Sequence, residues 1–231
     1  MTRRALLIHG LSSSGATWWR VREQLESEGW EVTTPDLRGH GTVERAESYA
    51  ITDYVSDLPS GPWDLVIGHS LGGAIAAVAA TSPGFAVRVV LLDPVLEVPE
   101  KHWQAVLEDQ LGELDLTAES VARERPHWHP RDRELKVQAV HQADRRMVER
   151  TFSDNPGWNV VAAAKALPVP TLILGADHAV YSMFAAETAD AVVAANPSLT
   201  YRVIEGAGHS PHRDKPEATL AAIHSFLESG D

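Results

Sequence analysis

The sequence predicts an α/β fold, a doubly wound and mostly parallel sheet of about six strands with one helical insertion. Three observations carry that expectation. Short apolar runs alternate with helix-patterned stretches, as parallel strands buried on both faces require. One such run, Leu65-Val66-Ile67, passes directly into Gly68-His69-Ser70-Leu71-Gly72 and then into a small-residue helix over 74–80. The alternation stops from about residue 95 to 166, where the chain is charged, helix-favouring and free of any buried-strand pattern.

Taken in order, residues 5–8 form a strand ending at His9-Gly10, followed by a loop of Ser12, Ser13, Ser14 and Gly15. A helix over 17–28 places Trp18, Val21 and Leu25 on one face, and Gly29 stops it. A second strand, 30–34, closes on Pro35-Asp36-Leu37-Arg38-Gly39-His40-Gly41, and a short helix near 48–58 leads to the strand before Ser70. The run 87–92 is a further strand, closed by Asp93-Pro94. After the insertion come a strand over 169–174, a helix near 183–195 and a last strand over 201–204, which runs into Gly206-Ala207-Gly208-His209. Asp214 and Pro216 open the final helix, with Leu220, Ile223 and Leu227 as its buried face. Strands alternating with helices imply right-handed crossovers between parallel neighbours.

A chain of 231 residues suits one sizeable domain with an insertion. Its net charge of -12 argues against nucleic acid or an anionic membrane as partner and fits a solvated acidic surface. The absence of cysteine excludes disulfides, thiolate metal sites and a cysteine nucleophile. The apolar run after Arg3-Arg4 is too short for a signal-peptide core, and no stretch reaches membrane-spanning length, so a cytoplasmic protein is expected.

Strand, Gly-x-Ser-x-Gly and helix in succession force a reversal that exposes the Ser70 hydroxyl at the tip of a strained turn. The helix N-terminus beneath it aims N–H groups at any oxyanion formed there, the first from Leu71. A serine hydroxyl needs a base, and His209, in a glycine-rich loop just after a strand, is the candidate. An acid behind that ring has two candidates in chain order, Asp177 after the 169–174 strand and Asp93 after the 87–92 strand. His9 and His40 are expected to bond backbone, His69 to point away from the site by strand alternation, and His212 to lie behind His209. His127 and His129 lack a third ligand, so no metal and no cofactor is expected.

The set His9-Gly10, Asp36-Leu37-Arg38-Gly39-His40-Gly41, Gly68-His69-Ser70-Leu71-Gly72 and Gly206-Ala207-Gly208-His209-Ser210-Pro211, followed by Lys215-Pro216-Glu217, resembles the α/β-hydrolase fold enzymes over nearly the whole chain. The antiparallel N-terminal strands usual in that family are missing, so the resemblance is to a minimal core. It implies a core of residues 1–94 and 167–231, with 95–166 as a helical cap over the active site. It also implies Leu11 N–H as the second oxyanion donor, and it favours Asp177 over Asp93, although the family's aspartate commonly follows the strand-ending glycine by one residue more. The activity implied is that of a cofactor-independent serine hydrolase, an esterase or lactonase acting on an ester, lactone or thioester of a small to medium apolar substrate. Carbon–carbon bond hydrolases and lyases of the family use the same residues, and some members bind ligands without catalysis. Trp103, Trp128 and Trp158 are expected to form the cap's own core or to line its pocket.

Overall fold

The structure, a computed structural model, describes residues 2–229. Its six strands are β1 (Arg3–Ile8), β2 (Trp30–Thr33), β3 (Leu65–His69), β4 (Val89–Leu92), β5 (Thr171–Ala176) and β6 (Leu199–Ile204). They form one sheet in the order β2-β1-β3-β4-β5-β6, every pair parallel. The chain therefore winds outward from β1 in both directions. In such sheets ligands bind outside the carboxyl ends of the strands at the switch point, here between β1 and β3.

The apolar runs fill both faces because successive residues of a strand point oppositely. Leu6, Ile8, Val66, Val89, Leu91 and Ile173 join one core cluster, while Ala5, Leu7, Leu65, Ile67, Val90, Leu92, Leu172 and Leu174 join the other. Helix α1 (Trp19–Ser27) supplies Val21 and Leu25 to the second cluster. Helices α2 (Ile51–Ser56) and α3 (Leu71–Ala79) cover the first, where α3 contributes Leu71, Ala74, Ile75, Ala76 and Ala77. A 3-10 turn, Gly15–Trp18, precedes α1, so the expected helix begins later than its apolar pattern suggests.

The segment between β4 and β5 contains α4 (Trp103–Gly112), α5 (Ala118–Glu124), α6 (Pro130–Gln142), α7 (Arg145–Ser153) and α8 (Val161–Lys165). An antiparallel bridge, Glu97 with Asn159, closes its base. Val98, Met147, Val148, Phe152, Trp158 and Ala164 join the same core cluster as α3, so the segment is packed on the sheet's helix layer. The Trp103 ring meets Phe152 edge-on at 5.3 Å, and Phe152 meets Trp158 at 5.9 Å. Polar links reinforce the seam: Trp19 Nε1 donates to Asp132 at 2.7 Å, and Tyr49 N donates to Asp154 at 2.9 Å.

The chain then returns through β5, α9 (Ala186–Ala195), β6, α10 (Pro211–Asp214) and α11 (Pro216–Glu228). β6 starts at Leu199 rather than Tyr201, and α9 starts at Ala186 rather than Met183.

Candidate active site

Ser70 sits between β3 and α3 with φ 55° and ψ −119°, a conformation that non-glycine residues avoid. Space for the bend depends on its glycines. A Cβ on Gly68 would come within 2.3 Å of Gly72 O, and one on Gly72 within 2.2 Å of Ile8 O. The reversal is therefore pressed against both its own helix and the end of β1. Leu71 opens α3, so its N–H has no intrahelical acceptor. Leu11 follows Gly10 beyond β1 and lines the same cavity wall as Ser70.

The ring of His209 meets Asp93, not Asp177. His209 Nδ1 donates to Asp93 Oδ2 at 2.6 Å. The same carboxylate accepts Met183 N at 2.8 Å, Ser182 Oγ at 2.6 Å and Ala176 N at 3.0 Å. Asp93 is fully buried, and its φ of 37° turns it off β4 toward the ring. Burial pushes the Asp93 carboxyl up, but the His209 bond and charge, with the Ser182 and Ala176 donors, hold it below the usual carboxylate value. Asp177 instead accepts Ala179 N at 2.8 Å and Gly206 N at 2.9 Å. It ties the β5 loop to the β6 loop at the exposed surface, and those two backbone bonds hold its carboxyl low. The late start of α9 has the same origin, since Ser182 and Met183 are committed to Asp93.

His69 does not point away. It continues the side of β3 that carries Leu65 and Ile67, the His209 loop meets that side at the strand's end, and its Nε2 donates to His209 O at 2.7 Å. Its ring lies 4.9 Å from that of His209 and 4.8 Å from that of His212. Burial, helped by the charges of His212, His209 and Arg213, lowers its pKa well below the ordinary value. A neutral His69 can brace the His209 loop without placing a cation beside that ring. His9 uses both nitrogens on backbone, donating from Nδ1 to Gly10 O at 2.8 Å and accepting Leu37 N at 3.0 Å. His40 donates to Arg38 O at 2.9 Å, and His212 stacks on Trp18 at 4.7 Å. His127 donates to Asp214 at 2.8 Å and His129 accepts Arg131 N at the start of α6, so the two serve different partners.

Ser70 and His209 share the wall of a cavity of about 640 Å³. Its sides come from the β1 and β6 loops and from α4, α5 and α6 of the inserted segment; they carry Glu113, Trp128, Lys136 and Arg213. A second, narrow cleft of about 20 Å³ also touches Ser70, Leu71 and His209, and it is bounded by Val95, Val98, Phe152 and Trp158. Of the tryptophans, Trp103 belongs to an aromatic stack, Trp128 to the large cavity and Trp158 to both stack and cleft. Arg213, Lys136 and Ser182 were not singled out by the sequence. They acquire a role only through elements that meet in space, and no local pattern marks them.

A parallel sheet that delivers a serine on a strained strand-to-helix turn, with an imidazole–carboxylate pair beside the same cavity, defines the nucleophile-elbow class of α/β proteins. The chain belongs to the alpha/beta hydrolase family, whose model matches residues 5–223. It is 34% identical to lipase LipV of Mycobacterium tuberculosis over 128 residues, 52% of this chain, and so spans 48% of that relative's length. It is 25% identical to pyrrolizixenacetamide deacetylase of Xenorhabdus hominickii over 98% of this chain and 91% of the relative. Among solved structures, E-2-(acetamidomethylene)succinate hydrolase superposes with a TM-score of 0.84 at 22% identity, covering 98% of this chain and 91% of the other. No helix of the described residues is long and apolar enough to cross a membrane.

Proposed function

We propose that the protein is a serine hydrolase that cleaves a small-molecule carboxylic ester, or a related thioester, lactone or amide, through Ser70, His209 and Asp93. The observation that carries this reading is the 2.6 Å bond from His209 Nδ1 to buried Asp93, made by a ring that borders the same cavity as the Ser70 elbow. With Nδ1 committed to a carboxylate, Nε2 is the nitrogen left to take a proton.

In the proposed cycle Ser70 Oγ attacks the carbonyl carbon while its proton passes to His209 Nε2. The carbonyl oxygen gains the negative charge and is held by the Leu11 and Leu71 N–H groups. The tetrahedral adduct expels the alcohol, thiol or amine, which leaves with the proton from His209. Water then loses a proton to the same nitrogen, attacks the acyl–Ser70 carbonyl, and Ser70 departs with that proton, releasing the acid. Asp93 stays ionised throughout and fixes the ring's tautomer.

The narrow cleft fits a short apolar acyl group, and the wide cavity with its charged walls fits the leaving group. Apolar character is thereby assigned to the acyl half of the substrate alone. The inserted segment acts as the lid of this arrangement. Ester and amide chemistry are both admitted because the relatives include a lipase and a deacetylase.

Ser70→Ala should lower kcat for p-nitrophenyl acetate by at least about 10⁴-fold while its thermal unfolding stays close to that of the parent. A fluorophosphonate should label the parent and not the variant. Turnover retained by Ser70→Ala rules the mechanism out.

A further inference from the structure

Arg213 lies shortly after His209 in α10 and borders the large cavity, yet it is only 5% exposed. A guanidinium this deeply buried ordinarily has a carboxylate against it, because removing its charge from water is costly. Among the described residues the one hydrogen bond its side chain makes is from Nη2 to Ser13 Oγ at 3.3 Å, and its Nε is buried without a partner. The Trp128 ring covers one face, 5.1 Å away.

The acids that line the cavity are otherwise engaged or exposed. Asp214 accepts both His127 Nε2 and Trp128 Nε1. Glu113 is bonded by Lys136, which also reaches Ser12 O at 3.5 Å. Asp109 and Glu124 stand at exposed positions of the wall. Asp132, outside the cavity, is held by Trp19 and Arg20. Asp132, Glu113 and Asp214 act on Arg213 through space and none forms an ion pair with it among the described residues, so burial prevails and lowers its pKa. The cavity thus has carboxylates on its wall, yet the Arg213 guanidinium has none of them bonded to it.

We propose that Arg213, with Ser13 beside it, is the binding site for a carboxylate on the substrate's leaving group, so that the substrate is a short-chain acyl derivative of an alcohol or amine bearing an acid. This rests on the hydrolase reading for its orientation. The short acyl group occupies the narrow cleft at Ser70, the scissile carbonyl lies at the elbow, and the remainder extends into the wide cavity toward Arg213. A planar, always-charged fork suits a carboxylate better than an ammonium does.

The test uses 4-acetoxybenzoate and its methyl ester, which share acyl group and aryl oxygen and differ in the charge. The parent should prefer the acid by about 10-fold or more in kcat/KM. Arg213→Met should cut that preference by about 10- to 100-fold, the range of a charge-assisted hydrogen bond, and Arg213→Lys should keep part of it. Met fills the space of an unpaired charge, so folding should survive, which a thermal melt checks. No preference in the parent, or an equal preference in Arg213→Met, overturns the proposal.

Binding is read separately by calorimetric titration of 4-hydroxybenzoate into Ser70→Ala. Affinity should fall at least about 10-fold when Arg213→Met is added, and equal affinity overturns the subsite. Binding that depends on Arg213 in a protein that takes no fluorophosphonate would sink the hydrolase reading and leave the subsite standing. Labelling at Ser70 with indifference to the carboxylate would do the reverse.

Discussion

Four donors converge on the Asp93 carboxylate, and two of them cannot be turned around. Two are backbone N–H groups, one is the Ser182 hydroxyl and one is the ring of His209. Asp93→Asn would place an amide NH2 against one of these donors or against the ring, favouring the wrong imidazole tautomer. We expect kcat to fall by about 10³- to 10⁴-fold. Asp177→Asn keeps an acceptor at a surface loop and should change kcat by less than about threefold. Ester hydrolysis rates of the two variants decide the matter, and a larger loss from Asp177→Asn would return the acid to β5. The sequence placed both aspartates at strand ends and its family resemblance favoured Asp177, whereas the ring lies against Asp93, because the outcome turns on the positive φ of Asp93 and on which loop faces the ring. His69 was misjudged for a related reason. Alternation puts it on the side of Leu65 and Ile67, and only the fold brings the His209 loop to that side.

At the scale of the elements, the elbow is a three-way contact of β1, β3 and α3. The Cβ of Gly72→Ala would lie 2.2 Å from Ile8 O and 2.5 Å from His9 O, both backbone atoms of a central strand end that cannot yield easily. This substitution should cost at least about 2 kcal/mol, although alanine favours helices over glycine. A urea titration should show an earlier midpoint with unchanged slope, and an unshifted midpoint would contradict the packing described. This part of the fold was legible because the β3, β4 and β5 strands are buried on both faces and so read as plain apolar runs. β6 was shortened in that reading because it is an edge strand whose interior positions are exposed or half-buried.

Across the whole molecule, the site rests on a set of buried imidazoles held neutral. Burial lowers His9 to about 4 and His40 to about 3, and it carries His69 and His212 well below 6.5. The unfolded chain takes up protons at these groups near pH 6.5, and the folded chain does not until much lower pH. The stability they contribute is therefore complete above pH 6.5 and is lost as pH falls toward their folded values, at up to about 1.4 kcal/mol per pH unit for each. Four rings at about 2 kcal/mol each set an upper limit of about 8 kcal/mol, and urea unfolding should show a loss of at least about 2 kcal/mol between pH 7.5 and pH 5. This should hold even though the net charge of -12 shrinks over the same interval, which alone relieves repulsion. Equal stability at the two pH values would mean that these rings are not buried neutral. The existence and place of the inserted segment were legible from the break in alternation. Its charge balance was not, since Lys136 on α6, Glu113 near α4 and Arg213 on α10 meet only after folding. One bond has a consequence for engineering. His69, the residue before Ser70, grips the carbonyl of His209, so two loops 140 positions apart are aligned by a single imidazole strut. Anyone transplanting the C-terminal histidine loop from a relative must bring a compatible side chain at position 69 with it, or the borrowed imidazole will arrive out of alignment with Ser70.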